Sequence, residues 1–252
     1  MKPTRLLAAA CVLALAACQH AAPRNPMATW VPSRNYDARR AQLIVVHYTE
    51  QDSVQHSLDT LRSSNSGGRV SAHYLLGDDG RIYQLVSDEH RAWHAGAGRW
   101  GTIHELNSAS IGIEIDNEVG EAYTEAQIAA LLRLLDDLTT RLDIPKTQVI
   151  GHSDLAPTRK RDPGSLFPWK QLADAGYGRW PQGELRDPPA GFDPWLAMAA
   201  IGYPLQDRAA AVRAFHRHYR GQDDGENPDA SFDAEDLRIL YALNAMVGAV
   251  SP

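Results

Sequence analysis

Cysteine is nearly absent from this sequence. Only two of the 252 residues are cysteine, Cys11 and Cys18, and both lie close to the amino terminus. The chain beyond Cys18 therefore contains no disulfide of its own and offers no thiolate to a metal ion. Any metal site there must be built from histidine, aspartate and glutamate side chains.

The sequence also lacks an excess of basic residues. Its 25 lysines and arginines are outnumbered by 31 aspartates and glutamates, which gives a net charge of -6. Nucleic-acid binders usually carry a basic excess, so we expect no nucleic-acid partner. The hydrophobic content of 44% and the charged content of 22% are ordinary for a globular protein of one medium domain and a small one.

The amino terminus resembles a bacterial lipoprotein signal. A basic start, MKPTR, precedes an apolar run that is too short for a comfortable membrane span and that ends in Leu15-Ala16-Ala17-Cys18. The resemblance implies removal of residues 1–17, a lipid on Cys18 and, from Gln19, an outer-membrane protein that faces the periplasm. The alternative is an ordinary secretory signal with an incidental cysteine. Residues 18–35 contain three prolines and predict a lipidated tether.

Strand and helix patterns alternate through residues 36–178. AQLIVVHYTE predicts a buried strand, SIGIEIDNE a strand with one buried face, and TQVIGH another short strand. Asp78-Asp79-Gly80 predicts a hairpin, and helices are expected over 53–63 and after Thr124, which forms a capping box with Gln127. The fold class is therefore predicted as α/β, with a central mixed β-sheet flanked by helices.

The last part of the chain has a different pattern. Residues 179–191 are rich in proline and glycine and predict a linker. Residues 192–252 contain three helical patterns and predict a small three-helix C-terminal domain. Its AFHRHYR segment is either a binding face or a solvated face.

Two histidines, His47 and His152, each come directly after an apolar strand. Strand ends are where α/β folds present functional groups; the alternative for either histidine is a packed core residue. Asp162 precedes Pro163, which favours an extended backbone at Asp162. Two imidazoles and one carboxylate are the ligand set of a catalytic zinc that keeps one position open for water.

Side-chain alternation adds a cation to this candidate site. Along an extended segment, residues two apart face the same way. Lys160 and Asp162 are then expected on one side, and Arg159 and Arg161 on the other, where they would have no role. An ammonium beside the metal would suit the oxyanion of a tetrahedral intermediate.

Several ordered motifs resemble the zinc-dependent N-acetylmuramoyl-L-alanine amidase family over about residues 35–175. They are IVVHYTE, AHYLLGDDGRIYQLV, AWHAG, SIGIEIDNE, VIGHSDLAP and KRDPG. The resemblance implies Zn²⁺ ligands at His47, His152 and Asp162, a lysine that aids the transition state at Lys160, and a proton-handling acid at Glu114.

Other implied features follow the same resemblance. Trp93 and His94 match the edge of the family's substrate cleft, although a structural role for His94 is the alternative. Phage and recognition-protein relatives use cysteine as the third ligand, where this chain has Asp162. The catalytic tyrosine of those relatives would align at Ala72, which places more weight on Glu114 as the general base.

The resemblance implies a hydrolase for the amide between N-acetylmuramic acid and L-alanine of the peptidoglycan stem peptide. Its partners would be peptidoglycan, muropeptides and, through the lipid, a membrane; we expect a monomer. The C-terminal helices resemble a peptidoglycan-binding module. Two alternatives are a peptidoglycan-binding lipoprotein without catalysis and a zinc peptidase that cuts within the stem peptide.

Overall fold

The computed structural model describes residues 25–38, 41–65 and 68–248 of the chain. The predicted signal peptide and Cys18 lie outside the described residues, as does the first part of the predicted tether. No helix within the described residues combines the length and the apolar character that a membrane crossing requires.

The described residues contain strands and helices in alternation. The strands are β1 Thr29–Trp30, β2 Tyr36–Ala38, β3 Leu43–Tyr48, β4 Ser64–Asn65, β5 Gly68–Arg69, β6 Tyr74–Leu76, β7 Ile82–Gln84, β8 His90–Ala92, β9 Ser110–Ile115 and β10 Val149–Gly151. The helices are α1 Val54–Arg62, α2 Leu106–Ala109, α3 Glu125–Arg141, α4 His152–Leu155, α5 Trp169–Asp174, α6 Pro194–Ile201, α7 Arg208–Phe215 and α8 Ala234–Gly248. A π-helical turn, His216–Arg220, continues α7.

The main sheet has six strands in the order β1-β7-β6-β9-β3-β10. Neighbouring strands are parallel except β6 and β7, which form the predicted antiparallel hairpin. The central mixed sheet flanked by helices is thereby confirmed. The parallel strands β9, β3 and β10 lie side by side, so their carboxyl ends meet at one edge of the sheet.

Helix α3 covers one face of this sheet. Thr124 accepts a hydrogen bond from the backbone N–H of Gln127, whose side chain accepts one in return, as the sequence predicts. The buried apolar residues of α3 pack against β9 and β3; they are Ile128, Ala130, Leu131, Leu134, Leu135 and Leu138. Leu132 and Leu142 pack against the same cluster and are only partly buried.

The opposite face of the sheet is covered partly by the C-terminal helices. Leu43 and Val45 of β3 and Ile150 of β10 belong to one buried cluster with α6, α7 and α8. That cluster also includes Met198 and Phe215, both fully buried. Three C-terminal helices are therefore present as expected, and they share a core with the sheet. The domain boundaries at 36–178, 179–191 and 192–252 stay predictions.

The His216–Arg220 turn is not a solvated face, so that alternative for this segment is wrong. His216, Arg217, His218 and Tyr219 are buried. Charged side chains tolerate burial when they are paired, and this turn packs among aspartates. His218 stacks on Trp169 with ring centroids 3.9 Å apart.

Candidate active site

Three functional side chains form a row across adjacent parallel strands. His47 of β3 is the register partner of Glu114 of β9. Gly151 of β10 pairs with Val46, so the residues that follow, His152 and His47, are also neighbours. The two imidazole rings lie 4.4 Å apart, centroid to centroid. The sheet thus fixes the spacing of all three groups.

Asp162 completes the cluster from the loop after α4. Its Oδ2 atom lies 2.8 Å from Nδ1 of His47 and 2.9 Å from Nδ1 of His152. One ligand atom from each residue falls within 4.8 Å of the others, and all three residues are buried. The backbone N–H of Ser153 donates to the carbonyl of Asp162, which ties the loop to α4. The trio is therefore a preformed cluster able to hold one metal ion.

The surroundings favour the protonation states that a metal requires. Burial and the nearby His152 lower the pKa of His47 to about 4, which leaves its imidazole neutral near pH 7. Burial alone would raise the pKa of Asp162, but His152 and His47 hold it well below its usual range. A neutral imidazole and an ionised carboxylate are the forms that coordinate metals.

The cluster opens into a cleft of about 570 Å³. The predicted functional residues all reach its wall; they are His47, Trp93, His94, Glu114, His152, Lys160 and Asp162. The guanidinium of Arg69 lies over the ring of Trp93, with its Cζ atom 4.6 Å from the ring centroid. The structure therefore brings together every candidate site residue of the sequence analysis that it describes.

Glu114 and Lys160 contribute an acid and a cation to the wall of this cleft. Glu114 Oε2 is buried and has no hydrogen-bond partner among the described residues. Burial and the charge of Asp162 raise the pKa of Glu114 well above its ordinary value, while Lys160 acts in the opposite direction. A carboxyl group in this state is suited to accepting and returning a proton near neutral pH.

His94 has a structural position inside the cleft. Its Nδ1 atom lies 3.0 Å from Nε2 of His47, and its Nε2 atom lies 3.3 Å from Oγ of Ser110. The ring packs directly on Gly112, where an added Cβ would collide with it. His94 therefore orients the imidazole of His47 as well as lining the cleft.

The expected absence of a role for Arg159 and Arg161 is wrong. Arg159 donates hydrogen bonds to the carbonyls of Ala95 and Ala97 and lies beside His152. Arg161 forms an ion pair with Asp223. The alternation rule fails because residues 157–159 form a turn, in which the backbone N–H of Arg159 donates to the carbonyl of Ala156.

A buried polar network behind His152 escaped the sequence analysis. Asp154 accepts a hydrogen bond from the backbone N–H of Gly151 at 2.8 Å. It also accepts hydrogen bonds from the hydroxyl of Tyr203 and from Nδ1 of His218, each at 2.7 Å. No local pattern marks Tyr203 or His218, because both reach Asp154 only through the packing of the C-terminal helices.

The chain is similar in sequence to known proteins. The family model for N-acetylmuramoyl-L-alanine amidase matches residues 37–165. N-acetylmuramoyl-L-alanine amidase AmiD of Escherichia coli is 41% identical over 213 residues, which cover 72% of this chain and 75% of AmiD.

Two solved structures resemble the chain over most of its length. Escherichia coli AmiD in complex with anhydro-N-acetylmuramic acid-L-Ala-D-gamma-Glu-L-Lys matches with a TM-score of 0.71 and 34% identity, over 84% of this chain and 91% of that one. Pseudomonas aeruginosa AmpDh3 in complex with an anhydromuramic pentapeptide matches with a TM-score of 0.70 and 35% identity, over 83% and 93%.

Proposed function

Because the chain belongs to the N-acetylmuramoyl-L-alanine amidase family, we propose that it hydrolyses the amide bond between N-acetylmuramic acid and L-alanine of peptidoglycan stem peptides. The reaction would serve cell-wall turnover or recycling. The observation that carries the proposal is the convergence of His47, His152 and Asp162 beside Glu114 in one cleft.

Zinc is the metal that this donor set fits best. Two imidazole nitrogens and one carboxylate oxygen, all buried, match the three protein ligands of a catalytic zinc site. The chain offers no cysteine here, so softer thiolate sites are excluded. A zinc ion held by His47, His152 and Asp162 would polarise the amide carbonyl and lower the pKa of a water molecule to about 7.

Glu114 is the proposed general base. It lies next to His47 in the sheet, and its Oε2 atom is free of other hydrogen bonds among the described residues. That atom would accept the proton of the attacking water and return it to the departing amine of L-alanine. The raised pKa of Glu114 favours the first transfer, because it makes the carboxylate a stronger base.

Lys160 is the proposed oxyanion stabiliser. Its side chain reaches the cleft wall together with Glu114 and Asp162, and its backbone N–H donates to the carbonyl of Ala156. A fixed ammonium there would stabilise the negative charge that develops on the carbonyl oxygen. Trp93 and His94, on the same wall, would bind the sugar or the first peptide residues.

The muropeptide ligands of the related structures support the proposed substrate class. The AmiD structure contains an anhydromuramic tripeptide, and the AmpDh3 structure contains an anhydromuramic pentapeptide. The AmiD ligand contains the muramic acid–L-Ala linkage that the proposed reaction would cleave. The open cleft of about 570 Å³ has room for the groups on either side of such a bond.

The proposal extends to location and domain roles. A lipid on Cys18 would anchor the chain to the outer membrane, facing the periplasm, with residues 18–35 as a tether. Residues 36–178 would form the zinc amidase domain, joined by the linker 179–191 to a helical domain that binds peptidoglycan. The lipoprotein-like sequence around Cys18 supports the anchor, and we propose a monomer.

Mass spectrometry of digested peptidoglycan tests the activity. Intact stem peptides that begin with L-alanine are expected among the released products. Shortened peptides would instead identify a peptidase, and tight binding without release would identify a non-catalytic binder. Glu114→Gln is the matched control, because it removes the proton acceptor and leaves the three metal ligands in place.

A second measurement tests the anchor. Intact mass of the protein purified from a bacterial membrane fraction is expected to show loss of residues 1–17 and a lipid on Cys18. The Cys18→Ala variant is expected in the soluble fraction. An unmodified Cys18 in a soluble periplasmic protein would contradict the anchor and leave the amidase proposal intact.

A further inference from the structure

Both imidazoles of the candidate metal cluster face Asp162 with the same ring atom. Nδ1 of His47 lies 2.8 Å from Oδ2 of Asp162, and Nδ1 of His152 lies 2.9 Å from the same oxygen. A neutral imidazole has a proton on one nitrogen and a lone pair on the other, and it binds a metal ion through the lone pair. The position of this proton therefore decides whether Nδ1 of each histidine is available to a metal ion.

The backbone carbonyl of Ala95 determines the position of the proton on His152. Nε2 of His152 lies 2.8 Å from the carbonyl oxygen of Ala95. Because a carbonyl can only accept a hydrogen bond, Nε2 carries the proton and donates it. In the neutral ring Nδ1 then keeps its lone pair, which is the state that a metal ion requires.

A row of three side chains connects His47 to a second backbone carbonyl. Nε2 of His47 lies 3.0 Å from Nδ1 of His94, and Nε2 of His94 lies 3.3 Å from Oγ of Ser110. The hydroxyl of Ser110, which is fully buried, donates to the carbonyl of Leu106 at 2.5 Å. Since a hydroxyl has only one proton, Oγ of Ser110 accepts from His94, and Nε2 of His94 carries a proton.

These contacts give the row a single direction. With its proton on Nε2, the neutral His94 ring presents the lone pair of Nδ1 to His47. His47 then donates from Nε2, because two facing lone pairs would repel each other. Burial and the nearby His152 lower the pKa of His47 to about 4, so the ring has only this one proton near pH 7. Two Nδ1 lone pairs and the Asp162 carboxylate consequently face one another, and a cation stabilises such a group of acceptors.

One side chain holds both parts of this arrangement in place. Oδ1 of Asn107 accepts hydrogen bonds from the backbone N–H of His94 at 3.1 Å and from that of Ala95 at 2.8 Å. The side chain of His94 contacts one candidate ligand, while the carbonyl of Ala95 contacts the other. Two consecutive residues thus determine the proton positions on both histidines.

We propose that Ser110, His94 and the carbonyl of Ala95 fix both candidate histidine ligands in the tautomer that leaves Nδ1 available to a metal ion. This inference rests on the zinc site of the proposed function. Ser110 is a positioning residue, since it acts on His47 only through His94. A hydrogen-bond acceptor at the far nitrogen also makes an imidazole a stronger metal ligand. The chain thereby prepares the two nitrogens before a metal ion binds.

The zinc affinity of two serine variants tests the role of Ser110. Ser110→Ala removes the acceptor of the His94 proton, so that this proton moves to Nδ1 of His94 and the proton of His47 moves to its own Nδ1. The dissociation constant for zinc, measured near neutral pH by competition with a chelator, is expected to rise about 10–100-fold. Ser33→Ala is the matched control and is expected to keep the affinity. The buried Ser33 hydroxyl likewise donates to a carbonyl, that of Leu61, and accepts from a backbone N–H.

Nuclear magnetic resonance of the metal-free protein tests the proton positions directly. The ¹⁵N chemical shifts of the ring nitrogens distinguish the two tautomers of each histidine. In the unaltered chain we expect the proton on Nε2 in His47, His94 and His152. In Ser110→Ala, His47 and His94 are expected to change to the tautomer with the proton on Nδ1. His152 is expected to stay unchanged, because Ala95 and not Ser110 fixes its proton, which makes it an internal control.

Several results would overturn the proposal. They are a proton on Nδ1 of His47 in the unaltered chain, unchanged tautomers in Ser110→Ala, and equal zinc affinities of Ser110→Ala and Ser33→Ala. If Ser110→Ala fails to fold, the spectrum of the unaltered chain decides. Neither measurement uses a substrate, so an absence of turnover would refute the amidase function and leave the proton positions to be judged by the spectrum.

Discussion

Replacing Asp154 with alanine is predicted to destabilise the protein strongly. The Asp154 carboxylate is 1% exposed and accepts three hydrogen bonds, from Gly151, Tyr203 and His218. Asp154→Ala leaves three buried donors without an acceptor, and each costs about 1–3 kcal/mol. Because such losses are not additive, the free energy of unfolding should fall by about 3–5 kcal/mol. The total free energy of unfolding of a typical domain is only about 5–15 kcal/mol.

Urea unfolding, followed by tryptophan fluorescence after treatment with a chelator, measures this loss directly. Tyr203→Phe is the matched control, because it removes one donor and keeps the ring contact with Trp100, whose centroid lies 5.3 Å away. It should cost about 1 kcal/mol. A loss below about 1 kcal/mol for Asp154→Ala would refute the reasoning. So would equal losses in the two variants, since the carboxylate would then contribute nothing beyond one hydrogen bond.

The remaining predictions concern the metal, the proton and the pH dependence. Asp162→Ala should lose bound zinc and turnover together, measured by elemental analysis and peptide release; retained zinc with full activity would rule out Asp162 as a ligand. Glu114→Gln should keep zinc while kcat falls by about 10²–10⁴-fold, and a smaller fall would assign the base elsewhere. Burial lowers the pKa of His216, but Asp236 and Asp224 outweigh it and raise the pKa above its ordinary value. Its contribution to stability is therefore complete below about pH 6.5 and should disappear as pH rises through the raised pKa, so chelator-treated protein should unfold more easily in that range. His216→Asn should flatten this dependence in urea titrations, and an unchanged slope would contradict it.

The metal cluster was predictable because its geometry follows from strand patterns. His47 and His152 come at the ends of apolar runs, and adjacent parallel strands place such residues side by side. Glu114 alternates with isoleucines along β9, so its face of the sheet also followed from the sequence. The capping box of α3 is likewise a local signal. In each case the prediction needed only the regular repeat of side-chain directions within one strand or helix.

The contacts that support the cluster were not predictable in this way. The alternation of side-chain directions along an extended segment predicted no role for Arg159. That prediction was wrong because residues 157–159 form a turn, and side chains do not alternate with a two-residue period in a turn. The charged His216–Arg220 segment looked like surface, but its partners, Asp154 and Trp169, lie far away along the chain. Only the packing of the C-terminal helices brings these groups together, and no periodicity within one segment contains that information.

The residues that support the loop around the candidate metal ligands come later in the sequence than the ligands themselves, and the ribosome therefore adds them later. A growing chain has all three candidate metal ligands once Asp162 is added. The partners that support the loop around them, Tyr203, His218 and Asp223, are added only later. A nascent or prematurely terminated chain that ends between these points has the ligands without their support. The loop around the candidate ligands therefore gains these supporting contacts only once the C-terminal helices have been added.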